Sequence, residues 1–372
     1  MYKAPLKKPQ PDFDALSRVL LGERKPEKVY LVELGIDGKV MREITERYLG
    51  RKWIPFKSID TYLGWDLDSG VTWQQCQKEC VDFYYWMGYD FFNVGPTWEN
   101  LPSFHRRASA DAALDTGEQR HWVEESGGII KNWKDFEKIR WNKITHNLEA
   151  LDFTQKNLPG GMKITVAAIM FEMVLERFFG YRDLFLLSHD DPELVAAVFN
   201  EWGRIVYDYF REAIQYPKVG ALWHVDDLGH KTATLLGPEF LRKNVLPWFK
   251  KYAALAHERG LPCWFHSCGN VFDVMNDLIE DVKIDAFHSF QDVILPVGDF
   301  MKKYGNRIGA IGGVDVDLLT RLEEPELRNY IRRILKECMP GRFAIGSGNS
   351  IASYVPTEKY LIMVDEAMRW QG

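Results

Sequence analysis

Eight short apolar runs punctuate the chain: KVYLVELG (28–35), YDFFNVGP (89–96), MKITVAAIMFE (162–172), KVGALWHVDD (218–227), LPCWFHSCG (261–269), IDAFHSFQ (284–291), RIGAIGGVD (307–315) and RFAIGSGN (342–349). Between them lie longer stretches, such as 191–215 and 237–260, where apolar residues recur every three or four positions. Near-continuous apolar runs read as parallel strands buried on both faces, and the amphipathic stretches read as crossover helices. The alternation predicts an α/β fold, a (β/α)8 TIM barrel spanning residues 1–372 as one domain. It carries an N-terminal extension with a short helix around 13–21, and a long insertion, 97–161, after the second strand.

That insertion exceeds an ordinary loop and must hold structure of its own. Within it HWVEESGGIIKNW (121–133) has apolar residues on both sides of Gly127-Gly128, a hairpin signal. Trp98, Trp122 and Trp133 are spread along it. The reading is a lid over the barrel mouth; the alternative is an excursion whose tryptophans pack on the outer helices.

In such barrels the chemistry sits at the carboxyl ends of the strands. Those ends carry Glu33 and Asp37, Asn93, Glu172, then His224, Asp226 and Asp227, then His266 and Cys268, His288 and Gln291, Asp315, and finally Ser347 and Asn349. Asp37, Asp315 and Ser347 read as turn and cap residues. Imidazoles and a thiol are not selected by turns. His266 and Cys268 are two apart, so on a continuing strand both leave the same face and can converge on one ion, with Gly269 turning the chain away behind them. Imidazole nitrogen plus thiolate suits Zn2+, which needs a third protein ligand. Asp227 is the first candidate, followed by Asp226, His224 and Glu172. Cys76 and Cys80, four apart, read as the inner stripe of an amphipathic helix, and Cys338 as a helical residue at the opposite end of the barrel.

Composition narrows the function. The chain is 46% hydrophobic and 14% aromatic with 13 Trp, more rings than a core of this size uses, so some are expected to line a pocket. With 47 Lys+Arg against 53 Asp+Glu, a net charge of -6 and no basic run, nucleic acid is excluded as an expected partner. No apolar stretch reaches the ~20 residues of a membrane-spanning helix, and the first residues lack the apolar centre of a secretion signal. A cytoplasmic location is expected, where five cysteines stay reduced and free to bind metal.

FHSCGNV (265–271), DAFHSFQ (285–291), GAIGGVDVDLL (309–319) and AIGSGNSI (344–351), with ALSRVLLGERKPEKVYLVE (15–33), resemble the uroporphyrinogen decarboxylase-like superfamily over most of the chain. The resemblance implies a (β/α)8 barrel. It also implies one of two activities: decarboxylation of a tetrapyrrole or smaller acid, or methyl transfer involving corrinoid proteins or thiols, often with zinc on a His-x-Cys pair. The decarboxylases carry a Met-Arg-Gln-Ala-Gly-Arg stretch after the first strand that grips porphyrinogen carboxylates; here the matching VELGIDGKV (32–40) places an acid instead of a cation. Their aspartate after the second strand is missing from NVGPTWE (93–99). Thiol-activating methyltransferases take a later cysteine as third ligand, and the matching 346–350 has none.

The resemblance therefore implies a corrinoid-dependent methyltransferase acting on a small methylated substrate, such as a methoxylated aromatic. Zinc on His266 and Cys268 would serve as Lewis acid, with the third ligand not carried by the resemblance and Asp227 the first candidate from its position, and the corrinoid would be carried by a partner protein. Glu172, His288 and Asp226 are the candidate catalytic groups. Glu33, Asn93, Gln291 and Asn349 are candidate substrate contacts. The reading leaves room for a homodimer.

Overall fold

The computed structural model describes residues 2–54, 56–60, 64–67, 70–104, 107–108, 121–122 and 128–371. Seven of the eight apolar runs become strands: β1 (Phe91–Val94), β2 (Lys163–Val166), β3 (Val219–Val225), β4 (Cys263–His266), β5 (Ala286–His288), β6 (Gly309–Val314) and β7 (Phe343–Ser347). They form one parallel sheet in the order β7-β6-β5-β4-β3-β2-β1, each strand beside the next in sequence. Helices carry the returns, among them Pro192–Ala213 before β3 and Leu246–Glu258 before β4. This is an α/β, TIM-barrel-like architecture.

The sheet is strongly curved, and its inner side chains prove it. Val32, Phe91, Ala221, Trp223, Trp264, Ala286, Ile311 and Ala344 form a single buried cluster. The rings of Phe91 on β1 and Trp264 on β4 lie 5.9 Å apart. A flat sheet, at ~4.8 Å per strand step, would hold strands three places apart at about 14 Å. The helix α1 (Phe13–Leu20) closes one end of this interior: Phe13 lies 5.7 Å from Trp264, and a Cβ on Gly309 at the start of β6 would come within 2.9 Å of the Leu20 carbonyl. Asp12 caps that helix through the Ala15 N–H at 3.0 Å. The plug sits where strands begin, leaving the carboxyl ends as the open side.

The first apolar run departs from expectation. It forms no ladder among the described residues, only an isolated bridge from Leu31 to Ile345. Two backbone bonds, Val32 N–H to the Ile345 carbonyl and Ile345 N–H to the Tyr30 carbonyl, both 2.9 Å, hold it to β7, and side chains add to them: Asn93 on β1 donates to the Leu34 carbonyl at 2.7 Å, and Glu33 holds Ser347. Gly346 permits this approach, since a Cβ there would overlap the Val32 carbonyl oxygen at 1.6 Å.

The described part of the insertion packs against the body of the fold. Residues 97–99 pair antiparallel with 145–147, and Trp98 packs on Trp202 and Tyr209 of the outer helix Pro192–Ala213, ring centroids 4.9 and 5.8 Å apart. Trp141 packs on Phe178, while Trp133 is exposed beside Phe136. Trp98 thus packs as the alternative expects, while Trp141 packs on the segment that follows β2. The expected hairpin turn at Gly127 lies outside the described residues. No helix among the described residues is long and apolar enough to cross a membrane.

Candidate metal centre

Parallel register decides which polar groups meet. His266 on β4 pairs with His288 on β5, and Trp264 pairs with Ala286. Because Trp264 and Ala286 face the interior, the residues two further on do as well. His224 has the opposite parity. It lies between sheet and helices, its ring 4.3 Å from Phe249 and stacked on Phe265, so it is removed from the ligand candidates. Its Nε2 is 2.9 Å from Asp226 Oδ2 but off the line that a hydrogen bond requires.

Beyond the strand ends, Asp227, His266 and Cys268 converge, with one ligand atom from each lying within 4.8 Å of the others. Asp227 Oδ1 accepts the Cys268 N–H at 2.8 Å and lies 3.3 Å from His266 Nε2; Cys268 Sγ is 3.5 Å from the same nitrogen. Ligands ~2.0–2.3 Å from a tetrahedral zinc stand roughly 3.3–3.8 Å apart, so these two edges fit. Gly269, at φ +78, turns the chain behind the cysteine, and a Cβ there would come within 2.2 Å of the Gly229 backbone. His266 and Cys268 thus converge on one site with Gly269 turning the chain behind them, as their spacing predicts.

The other predicted residues separate into groups. Glu172 is beside the cluster, close enough for the Asp227 carboxylate to raise its pKa. Asn349 donates its amide to Cys268 Sγ at 3.0 Å, a thiol contact. Asp226 is fully buried and accepts N–H groups of Met170, Phe171 and Glu172 at 2.9, 2.7 and 2.9 Å; it fixes the loop that carries Glu172 and has no face toward a substrate. Glu33 is likewise fully buried, bound to the Ser347 N–H and hydroxyl at 2.7 and 2.6 Å. Asn93 is occupied by Leu34 and Thr165. Gln291 stands exposed on the loop after β5. Asp37 precedes a helix and accepts the Ser353 N–H, and Asp315 caps its helix through Asp317 and Leu318.

His288 is buried in the wall. Its Nδ1 lies 2.6 Å from His266 Nδ1 and its Nε2 3.1 Å from the Ser347 carbonyl oxygen, so neither nitrogen is free for a substrate. Burial, reinforced by the neighbouring His266, holds its pKa well below the usual imidazole value.

Electrostatics favour a cation here. Burial and the Asp227 carboxylate push the Cys268 thiol well up. Burial and the carboxylates of Asp227 and Asp226 do the same to Glu172. Burial would raise Asp227 too, but hydrogen bonding and charge from His266 outweigh it and the carboxylate stays low. Burial lifts Glu33 to about 8, against the Ser347 hydrogen bonds. A divalent ion would relieve the thiol and carboxylate repulsion, and Asp227 with a thiolate would balance its charge.

Sequence reasoning missed Glu176 and Tyr181. Glu176 sits on the π-helical turns Met173–Phe179, close enough to raise the Glu172 pKa, and Tyr181 donates to it at 3.4 Å. The spacing of four between Glu172 and Glu176 was a usable signal, since such residues share a helix face. Ser347, read as a turn residue, links Glu33 to His288.

No family model matches the chain, and no curated protein matches it. Among solved structures, a methyltransferase from Methanosarcina mazei is similar at a TM-score of 0.66 and 13% identity, covering 95% of this chain and 97% of that one. At such identity the likeness shows the fold alone. A B12-independent methionine synthase from a Shewanella species, in complex with selenomethionine, is more distant: TM-score 0.49, 9% identity, 84% and 91% covered.

Proposed function

We propose that this protein is a methyltransferase that moves a methyl group between a small methylated substrate, such as a methoxylated aromatic, and the cobalt of a corrinoid carried by a partner protein. The observation that carries the reading is the convergence of Asp227, His266 and Cys268 at the open end of the barrel. Their donor set, spacing and charge fit zinc, held through Asp227 Oδ1, His266 Nε2 and Cys268 Sγ. Bound there, zinc would supply Lewis acidity toward the developing charge of the leaving group.

The chain's own groups do the remainder. The Glu172 carboxyl, beside Asp227, holds the proton that the departing oxygen or nitrogen takes as the methyl carbon passes to cobalt. Asp226 anchors the backbone of residues 170–172 and so aims that carboxyl. Asn349 orients the Cys268 sulfur. A mouth surrounded by Glu172, Glu176 and Asp227 disfavours a polycarboxylate, which separates this reading from porphyrinogen decarboxylation.

The test combines metal analysis with turnover. Purified protein is expected to hold one zinc and to convert cob(I)alamin to methylcobalamin with a methoxylated aromatic, followed by visible absorption. His266→Ala and Cys268→Ala are each expected to lose both properties. Zinc content unchanged in both variants, or turnover of uroporphyrinogen by the wild type, overturns the proposal.

A further inference from the structure

We infer that His288 is a positioning residue for the metal ligand His266: it accepts a hydrogen bond from His266 Nδ1–H and donates its own Nε2–H to the Ser347 carbonyl, leaving the His266 Nε2 lone pair toward the cation. The inference rests on the metal reading above and deepens it.

The direction of the chain follows from what each nitrogen faces. His288 Nε2 is 3.1 Å from a peptide carbonyl oxygen, which only accepts, so that nitrogen carries a proton. Its two ring nitrogens face an imidazole and a carbonyl, neither a counter-ion, and the ring is fully buried, so it is neutral. Its Nδ1 is then a lone pair. The 2.6 Å contact to His266 Nδ1 is a hydrogen bond only if His266 donates it. With a cation in place of a proton at Nε2, His266 keeps its single proton at Nδ1 and turns to the site the nitrogen that lies 3.3 Å from Asp227 Oδ1 and 3.5 Å from Cys268 Sγ.

The surroundings are built for this relay. Ser347, whose carbonyl ends it, is clamped by the buried Glu33 through both its N–H and its hydroxyl. Gly312, at φ +95, supplies room: a Cβ there would fall 2.5 Å from the Ser347 carbonyl oxygen and 2.7 Å from the His288 ring. Ligating histidines ordinarily donate the second N–H to a carboxylate, carbonyl or water. An uncharged imidazole in that role leaves His266 less electron-rich than a carboxylate would.

Two nearly isosteric variants separate orientation from packing. In His288→Asn the side-chain oxygen replaces Nδ1 as acceptor; in His288→Leu nothing accepts. Zinc affinity, measured by chelator competition on protein whose fold is checked by circular dichroism, is expected to fall about 10- to 100-fold in His288→Leu and to stay within a few-fold of wild type in His288→Asn. Equal losses in the two, or no loss in His288→Leu, overturn the inference. Metal-free protein labelled with 15N-histidine gives an independent readout: scalar coupling between the two Nδ1 atoms, with the His288 proton on Nε2. Absence of that coupling overturns the relay. A wild type that shows the coupling but takes no zinc overturns the metal reading and, with it, the role assigned to His288.

Discussion

His266 and His288 are register partners on adjacent parallel strands, and their Nδ1 atoms lie 2.6 Å apart inside the barrel wall. That pairing leaves one imidazole with a nitrogen toward the open end and commits the other to the wall. The site is therefore narrower than the ring of polar strand ends, and each member can be questioned separately.

Asp226 is structural. Asp226→Ala removes a buried carboxylate that accepts three backbone N–H groups. Hydrogen bonds to charged groups contribute about 1.5–3 kcal/mol each and are not additive, so a loss of roughly 3 kcal/mol is expected in urea unfolding. Zinc content of the protein that folds should be unchanged. A stability equal to wild type would return Asp226 to the list of reactive groups.

Asn349 occupies contact distance from the thiol. Asn349→Cys should add a second sulfur donor, visible in the cobalt-substituted protein as stronger thiolate-to-metal charge transfer than wild type. Asn349→Ala should leave metal content intact and alter only the existing band. An Asn349→Cys spectrum identical to wild type would place residue 349 away from the ion.

Gly269→Ala should be costly. Positive φ alone disfavours alanine by ~1–2 kcal/mol, and the new Cβ would meet the Gly229 backbone at 2.2 Å. The expected outcome is a clear drop in thermal midpoint together with weakened zinc binding, because Cys268 and Asp227 meet across that turn. Unchanged metal affinity would show that the turn does not position the ligands.

Glu33 makes a pH prediction. Burial raises its carboxyl from 4.5 to about 8, so the folded chain holds a proton that the unfolded chain has lost. This contribution is complete below pH 4.5, declines as pH rises and is gone above about 8, a change of up to about 5 kcal/mol. Glu33→Gln should flatten the pH dependence of stability over that window. A slope identical to wild type in urea titrations at pH 5, 6.5 and 8 would contradict the assignment.

The alternation of apolar runs and amphipathic stretches specified the order of strands and helices, because a strand buried on both faces needs an apolar run and a crossover helix needs a 3.6-residue stripe. Seven of the runs became strands in sequence order. His-x-Cys-Gly was legible for the same local reason: a two-residue step keeps side chains on one face, and the following glycine permits the turn.

What lay beyond local pattern was parity, register and depth. His224 ends an apolar run as His266 does, yet one residue of phase sends it outward into Phe249 and Phe265. Asp226 and Asp227 are neighbours, but the first is consumed by backbone N–H groups and the second meets His266 and Cys268. His288 and Ser347 became partners through strands that are distant in sequence. A linear pattern encodes which residues alternate; which of them touch depends on how the sheet curves and where its strands align, and those are settled by packing among segments far apart along the chain.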